Sequence, residues 1–498
     1  MSALSHIHLQ DIFGNQRVSR VASKVLLTVS IAAATALMAA EPLTAPKAAL
    51  TLVSVEGTAP MVATPIDLSA YGYTEQEYYV EGVANRYRGA QRGALQTAEI
   101  IDSGWPYKSR VLVRKPTKEK FNGTLIVEWA NVTLGQDVDF AFAESYEYLL
   151  DEGYAVAVVS AQKVGVDRLK NWSPARYGML SVDADNTDPL TGEMIDQCID
   201  VRNCVADPLS WDILTQVTAV LKAPNEASHP LYGLDVERTL ALAESQSAVR
   251  LSTYYNSIQP LYGAFDGFVF LDLALQLRDD LTSPAISVNS EVTKELKGLG
   301  VPVPSTSEYT RIWDVVGASH ASKYAIQYVD DIVVRDGSFP GPQGPMAFSE
   351  LTKMAECDLV PNYGIADIGL VLNKAIDSVN GWVATGVAAS PTLTMHVDAE
   401  GKIMRDEMGR ANGGVRLPSF EVPTEVFSQN GPNTILGCFL SAHHDELTAE
   451  ELKARYGTHD AYVERVKHSA ERLVTAGYLL PEDQSRVIEA AQASNVAR

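Results

Sequence analysis

The chain has 498 residues, of which 46% are hydrophobic, so it can bury a sizeable core in one large domain with insertions or in two to three domains. Its 40 basic and 62 acidic residues leave a formal net charge of −22 at pH 7. This charge would repel phosphate backbones, so we exclude nucleic acid as a partner, although acidity also simply keeps a protein in solution.

The first forty residues have the pattern of a secretory signal peptide. Three basic residues precede the uncharged run VLLTVSIAAATALMAA at 25–40, and the chain then continues EPLTAPKAA. The run is shorter than the roughly 20 residues that a helix needs to cross a bilayer. We therefore expect cleavage near Ala39 or Ala40, export to the periplasm or the medium, and no stable membrane insertion afterwards. An uncleaved membrane anchor is the alternative.

Four cysteines occur in the chain, and an exported protein meets an oxidising compartment in which two disulfides can form. Four cysteines allow three pairings. We favour Cys198 with Cys204, which are close together in DQCIDVRNCVAD, and Cys357 with Cys438; free buried thiols are the alternative. No cysteine–histidine spacing typical of zinc is present, and the adjacent histidines of AHHDE rarely converge on one ion, so we expect no metal.

The pattern of apolar runs predicts a mostly parallel, doubly wound α/β sheet with an antiparallel part on its N-terminal side. EYYVEGVANRY and YKSRVLVRKP show the alternation of antiparallel edge strands. From GTLIVEWAN onward, nearly continuous apolar strands alternate with helical segments, as in a parallel sheet covered on both faces. These later strands are YAVAVVSAQ, RTLALAES, FDGFVFLD, PAISVNSE and TRIWDVVGASH.

We divide the chain into four regions on composition and pattern. They are a signal peptide at 1–40, a core at 41–335 with an insertion at about 165–209, a cap or second insertion at 336–440, and two C-terminal helices at 441–498 that pack on the core. The glycine–proline segment DGSFPGPQGP opens the third region.

The hexapeptide AESQSA, at 243–248, joins the strand RTLALAES to the helix QSAVRLSTYYNSI. In α/β hydrolases the nucleophilic serine stands on such a strand-to-helix turn within G-x-S-x-G. Ala243 and Ser247 take the glycine positions here, and both are small, so Ser245 is a candidate nucleophile. A serine in an ordinary small-residue turn is the alternative, because the pentapeptide alone is weak.

The order of the later strands strengthens this interpretation. The fold requires serine, then an acid, then histidine, at the carboxyl ends of successive strands. PAISVNS is followed by Glu291 and TRIWDVVGAS by His320, so we predict the triad Ser245, Glu291 and His320. Two alternatives stay open: Glu291 is the first residue of a helix capped by Ser290, or Asp272, after FVFL, is the triad acid.

An oxyanion hole needs two main-chain N–H groups. One is expected from Gln246, which follows the candidate nucleophile. The other is expected from the loop WANVTLG, after the strand TLIVEW, so Asn131, Val132 or Thr133 is the candidate donor.

The chain also resembles the bacterial alpha/beta hydrolase domain family, from about residue 75 to its C-terminus. The shared phrases are TLIVEWANVTLGQDVD, ESQSA, VNSEVT, WDVVGASHAS, GWVATGVA, NGGVRLPSFEVP and YVERVKHSAERLVTAGYLLPED. The family's elbow usually has glycine where Ala243 stands, and its acid motif SETD is similar to SEVT here, which keeps Glu291.

This resemblance implies an α/β-hydrolase fold, the triad Ser245, Glu291 and His320, and carboxylic ester hydrolysis without a cofactor. The substrate is then a small or polymeric ester. A polyester or lactone hydrolase, an acyltransferase with the same triad, or a non-catalytic binding protein on the same scaffold are the alternatives.

Overall fold

A computed structural model provides the structure of the chain. It describes residues 41–55, 58–196, 206–224, 226–298, 306–341, 343–353, 357–359, 362, 367–407, 409–428, 438 and 441–498. The predicted signal peptide, Cys198 and Cys204 lie outside these residues. The proposed boundaries of the four regions remain predictions.

One sheet of nine strands organises the described residues. In chain order the strands are β1 (Ala48–Leu52), β2 (Tyr73–Arg88), β3 (Glu99–Pro116), β4 (Thr124–Trp129), β5 (Ala155–Val159), β6 (Arg238–Glu244), β7 (Gly267–Leu271), β8 (Ala285–Ser290) and β9 (Thr310–Val315). Their order across the sheet is β1-β2-β3-β5-β4-β6-β7-β8-β9. Four short strands form two separate ribbons: β10 (Pro340–Gly341) with β11 (Gly344–Pro345), and β12 (Glu425–Ser428) with β13 (His443–Glu446).

The helices cover the sheet and its edges. In chain order they are α1 (Phe140–Asp151), α2 (Lys163–Trp172), α3 (Pro174–Tyr177), α4 (Ser210–Leu221), α5 (Gln246–Thr253), α6 (Gln259–Tyr262), α7 (Glu291–Gly298), α8 (Lys323–Asp336), α9 (Phe348–Lys353), α10 (Gly369–Thr385), α11 (Pro418–Glu421), α12 (Ala449–Tyr456), α13 (His459–Ala476) and α14 (Pro481–Ala493). A 3-10 turn covers Leu68–Tyr71, and Tyr254–Ile258 is a π-helical turn that continues α5.

The strand types follow from burial. Every residue of β4, β5, β7 and β8 is buried, which explains why these strands are nearly continuous apolar runs rather than alternating ones. β5, β4, β6, β7, β8 and β9 are parallel, whereas β1, β2 and β3 pair antiparallel and β3 joins β5 antiparallel. The predicted fold class, a mostly parallel sheet with an N-terminal antiparallel part, is confirmed.

The strand order reverses beside β4. The chain passes from β4 to β5 on one side, and then β6 returns to the other side of β4. In open α/β sheets, ligands bind where the order reverses, outside the carboxyl ends of the strands. The turn after β6 is AESQSA, so the fold places this hexapeptide at the expected position.

The two predicted insertions contain structure that the sequence did not predict. Residues 163–177, at the start of the first predicted insertion, form α2 and α3, which the sequence did not lead us to predict. The segment 393–415 lies along the free edge of β9, where isolated bridges join Trp313 to Leu393 and Val315 to Val415. This segment protects the edge strand from pairing with other chains.

A disulfide joins Cys357 and Cys438, the second of the two pairings predicted, across 81 residues. Two hydrogen bonds between Asn362 and His444 add to this disulfide. Asn362 Nδ2 donates to His444 O at 2.8 Å, and His444 N donates to Asn362 Oδ1 at 2.6 Å. Asn362 is therefore fixed to β13.

None of the helices in the described part of the chain is long and apolar enough to cross a bilayer.

Candidate active site

Ser245 lies on a strained turn between β6 and α5. Its φ is 55° and its ψ is −117°, a conformation that residues other than glycine rarely adopt. Ser245 N donates to Leu271 O at 2.8 Å, which ties the turn to the end of β7. Ser247 Oγ contacts both the N and the O of Glu244, at 3.1 and 2.8 Å. Small residues at 243 and 247 therefore permit the elbow without glycine.

His320 reaches the serine from the loop between β9 and α8. Its Nε2 lies 2.8 Å from Ser245 Oγ, and only 6% of Ser245 and 7% of His320 is exposed. This is the contact that a general base needs to accept a serine proton. The structure thus brings together two of the three predicted triad residues.

The acid beside His320 is Asp272 rather than the predicted Glu291. Asp272 Oδ2 lies 2.7 Å from His320 Nδ1, and Asp272 Oδ1 accepts a hydrogen bond from Ser290 N at 2.5 Å. Asp272 directly follows β7, the neighbour of β6, and turns toward the site with a φ of 56°. The alternative acid of the sequence analysis therefore has the geometry of a triad acid.

Glu291 is a structural residue in this arrangement. It begins α7, and Thr293 N donates to Ser290 Oγ at 3.1 Å, which is the helix-start alternative considered above. Its carboxylate accepts from Gly317 N at 2.8 Å and pairs with Arg405 at 2.6 Å. The expectation that Glu291 orients His320 is corrected, because β8 lies one strand farther from β6 than β7 does.

A second carboxylate, which the sequence analysis missed, also contacts the histidine. Glu244 Oε1 lies 3.0 Å from His320 Nε2, and Glu244 Oε2 accepts from Asn131 Nδ2 at 2.9 Å. Glu244 is the last residue of β6, and its sequence position gave no sign that its side chain turns toward the site. His320 is therefore held between Asp272 on one ring nitrogen and Glu244 on the other.

These two carboxylates govern the charge of the imidazole. Burial lowers the pKa of His320, but the charge of Glu244, the charge of Asp272 and the hydrogen bonds from both raise it to about 10. Burial raises the pKa of Glu244, while the charge and the hydrogen bond of His320 oppose that rise. The resting site therefore favours a protonated imidazole.

The predicted oxyanion donors differ in what they contact. Gln246 N lies at the first position of α5, where a helix has no internal acceptor for its N–H groups. Val132 N donates to Gln246 Oε1 at 3.2 Å, and Thr133 N donates to Asn131 Oδ1 at 2.8 Å. Both acceptors are side chains that a substrate oxygen could replace.

Asn131 does not fit the predicted donor role. Its N–H donates to Val138 O at 2.9 Å within an isolated bridge, so it is committed to the loop. Its side chain instead holds both the main-chain O and the carboxylate of Glu244. Asn131 is therefore a support for Glu244.

A chain of amide contacts fixes the first turn of α5. Gln246 Nε2 donates to Gln162 Oε1 at 3.1 Å, and Trp129 Nε1 donates to the same oxygen at 3.2 Å. Gln162 Nε2 in turn donates to Asp207 Oδ2 at 3.2 Å. The side chain of Gln246 thus has a defined place beside the loop after β4.

A cavity of about 80 Å³ opens onto the serine and the histidine. Its walls are mostly apolar, which suits an acyl or alcohol group. The lining residues are Asn131, Thr133, Leu134, Phe140, Glu244, Ser245, His320, Ala321, Ile326, Phe348 and Ser441.

No metal-binding cluster of three or more His, Cys, Asp or Glu side chains occurs among the residues whose structure is described. The two histidines of AHHDE lie on β13, where His443 contacts Asp445 at 3.1 Å and His444 contacts Glu425 at 3.0 Å.

The comparisons with known proteins agree with this fold. The sequence profile of a family described as "Alpha/beta hydrolase domain" matches residues 40–489. A search of curated proteins found no match.

Three solved structures illustrate the structural similarity. An α/β serine hydrolase without a lid from Xanthomonas campestris shares 12% identity at a TM-score of 0.23, over 46% of this chain and 86% of its own. An α/β serine hydrolase homologue from Coxiella burnetii shares 12% identity at a TM-score of 0.25, over 43% and 84%. A candidate acetyl xylan esterase from Bacteroides fragilis shares 11% identity at a TM-score of 0.27, over 55% and 70%.

Proposed function

Because the chain belongs to the alpha/beta hydrolase domain family, we propose that it is a serine hydrolase that cleaves carboxylic esters with the triad Ser245, His320 and Asp272. The observation that carries the proposal is the continuous contact from Ser245 Oγ to His320 Nε2 at 2.8 Å and from His320 Nδ1 to Asp272 Oδ2 at 2.7 Å. Triads are recognised by this geometry rather than by sequence position.

Acylation follows from these contacts. Ser245 Oγ attacks the ester carbonyl carbon while His320 Nε2 takes the hydroxyl proton. Main-chain N–H groups of Gln246 and of Val132 or Thr133 hold the developing oxyanion. His320 then gives its proton to the leaving alcohol, and an acyl-serine remains.

Deacylation repeats the same steps with water. His320 Nε2 takes a proton from the water, which attacks the acyl-serine, and then returns a proton to Ser245 as the acid leaves. Asp272 accepts the Nδ1 hydrogen, so it fixes the tautomer that presents Nε2 to the serine. No cofactor takes part in these reaction steps.

The disulfide supports the proposal that the protein is exported. Structural disulfides persist in oxidising compartments and are rare in reducing ones. The Cys357–Cys438 bond is therefore consistent with the secretory pattern of residues 25–40. N-terminal sequencing of the protein recovered from cell fractions tests export, and a start near residue 41 is the expected result.

Hydrolysis of p-nitrophenyl esters by two serine variants tests the catalytic proposal. Ser245→Ala should lose about a thousandfold or more of kcat/KM, because the nucleophile is gone. Ser247→Ala, two residues along the same turn, is the matched control and should keep most of the activity. Full activity in Ser245→Ala would assign the reaction to another residue, and no turnover by the wild-type chain would favour a binding protein on this scaffold.

A further inference from the structure

Glu244 has no part in a Ser-His-Asp triad, yet it is in contact with the triad histidine. Its side chain is buried, with 4% of the residue exposed, and its Oε1 lies 3.0 Å from His320 Nε2. Ser245 Oγ lies 2.8 Å from the same nitrogen. One ring nitrogen therefore faces both the candidate nucleophile and a buried carboxylate.

The carboxylate is held in place from its other side. Asn131 Nδ2 donates to Glu244 Oε2 at 2.9 Å and to Glu244 O at 3.0 Å. Asn131 is fixed in turn by its main-chain pairing with Val138. A side chain held this way stays beside His320 rather than swinging into solvent.

On this basis we propose that Glu244 is a positioning residue that stabilises the His320 imidazolium and thereby sets the lower pH limit of the reaction. The proposal rests on the proposed function, since it assigns His320 the role of general base. A carboxylate beside Nε2 opposes the neutral imidazole that starts the reaction, and it stabilises the imidazolium that forms as Ser245 attacks.

Glu244 should shift the pH dependence of the reaction in one direction. At low pH His320 carries a proton on Nε2, shared with Glu244, and cannot accept one from Ser245. As the pH rises the proton is lost and activity appears. With Glu244 ionised, the acidic limb of the pH–rate profile lies above the ordinary histidine pKa of about 6.5. Above that limb, the same charge speeds serine attack.

The other charged groups around the site do not replace this effect. Among the described residues, Asp272 faces Nδ1 and is common to any triad of this kind. Glu144, on α1, accepts from Ser322 N at 2.7 Å and acts on Glu244 only through space. Burial, followed by the charge of Asp367, raises the pKa of Glu144 to about 8, so this carboxyl is mostly neutral below that pH.

The test is the pH dependence of kcat/KM for p-nitrophenyl acetate in the wild-type chain and in Glu244→Gln. Glutamine keeps an oxygen for Asn131 and removes the charge. We expect the acidic limb to move down by about 1 to 3 pH units, and the rate at high pH to fall at the same time. Loss of a merely structural contact would lower the rate at every pH without moving the limb.

Glu128→Gln is the matched control. Glu128 is a buried glutamate on the neighbouring strand β4, and its carboxylate accepts from Ala141 N and Phe142 N, both at 3.0 Å. This variant should leave the midpoint of the acidic limb unchanged, whatever it does to stability. An unshifted limb in Glu244→Gln, or an equal shift in Glu128→Gln, overturns the proposal.

Further measurements test the proposal if the variant does not fold or if the wild-type chain is inactive. If Glu244→Gln does not fold, the wild-type limb alone decides, because a midpoint at or below about 6.5 contradicts the proposal. If the wild-type chain neither turns over esters nor reacts with a fluorophosphonate, the proposed function fails by itself. An NMR titration of the His320 ring in the wild-type chain and the variant then still reports whether Glu244 holds the imidazolium.

Discussion

At the scale of single residues, two strained turns assemble the site. Ser245 and Asp272 both have positive φ values, 55° and 56°, although neither is glycine. Such conformations cost of order 1–3 kcal/mol each and persist where the surrounding structure enforces them. Here they turn the hydroxyl and the carboxylate from adjacent strands toward the same imidazole.

The identity of the acid can be tested with two isosteric variants. Asp272→Asn should lower kcat by about a thousandfold to ten-thousandfold, because the amide favours the wrong imidazole tautomer. Glu291→Gln should keep kcat within a few-fold and lose about 1–3 kcal/mol of stability, because the buried carboxylate loses its charge toward Arg405 while Arg405 keeps its ion pair with Glu295. Steady-state kinetics and thermal unfolding of the two variants are the measurement. The reverse pattern would restore Glu291 as the acid.

The residues also show what the sequence could and could not predict. The order of apolar strands led to Ser245 and His320, because each follows a strand in the required order, and the structure places their side chains in contact. Asp272 and Glu291 both satisfy that order, and only the lateral position of β7 beside β6 separates them. The contact of Glu244 with His320 depends on a side-chain direction at a strand end, which no local pattern records.

At the scale of elements, the disulfide lies near two parts of the chain that line the cavity. Cys357 follows α9, which begins with Phe348, and Cys438 shortly precedes Ser441. Phe348 and Ser441 both line the cavity beside Ser245. The bond therefore joins two parts of the chain that lie far apart in sequence and that each contribute a residue to the cavity.

Replacing both cysteines by serine should lower the free energy of unfolding and let the residues that line the cavity move more. Closing a loop across 81 residues stabilises a fold by about 4 kcal/mol in the chain-entropy view. We expect the Cys357→Ser/Cys438→Ser variant to show a lower Tm, and a higher KM with a smaller change in kcat. Thermal unfolding and steady-state kinetics check both. An unchanged Tm and KM would mean that the asparagine contacts alone fix the segment.

Elements were predictable where burial made their pattern simple. The strands of the core are buried on both faces, so their apolar runs identified them. α2 was not predicted, because it begins just after the buried strand β5, in a region that lacks a regular apolar repeat. The bridges of 393–415 to β9 depend on contacts across the sheet edge and leave no periodic pattern.

At the scale of the whole molecule, the size and apolar lining of the cavity bear on which substrate we propose. Ser245 is 6% exposed and His320 is 7% exposed, and both lie at the end of a mostly apolar cavity. We propose that the substrate is a small ester with a short acyl chain, because the cavity is small and mostly apolar.

We therefore expect turnover of p-nitrophenyl acetate and butyrate to exceed that of palmitate, and no release of acid from a polyester film. The physical reason is the small volume of the cavity beside Ser245, which favours a short acyl group over a long chain or a polymer. Colorimetric assays and titration of released acid are the measurements. Rapid erosion of the film would indicate an open cleft and a polymeric substrate.

We propose that Ser245 is a nucleophile activated by His320 and Asp272. Mass spectrometry of the protein after treatment with a fluorophosphonate tests it most directly, with peptide mapping of the adduct and the Ser245→Ala variant as the control. We expect one adduct, on Ser245, together with loss of ester turnover and no adduct in the variant. An unmodified Ser245 in a folded, ester-cleaving protein, or an adduct on a different serine, would contradict it.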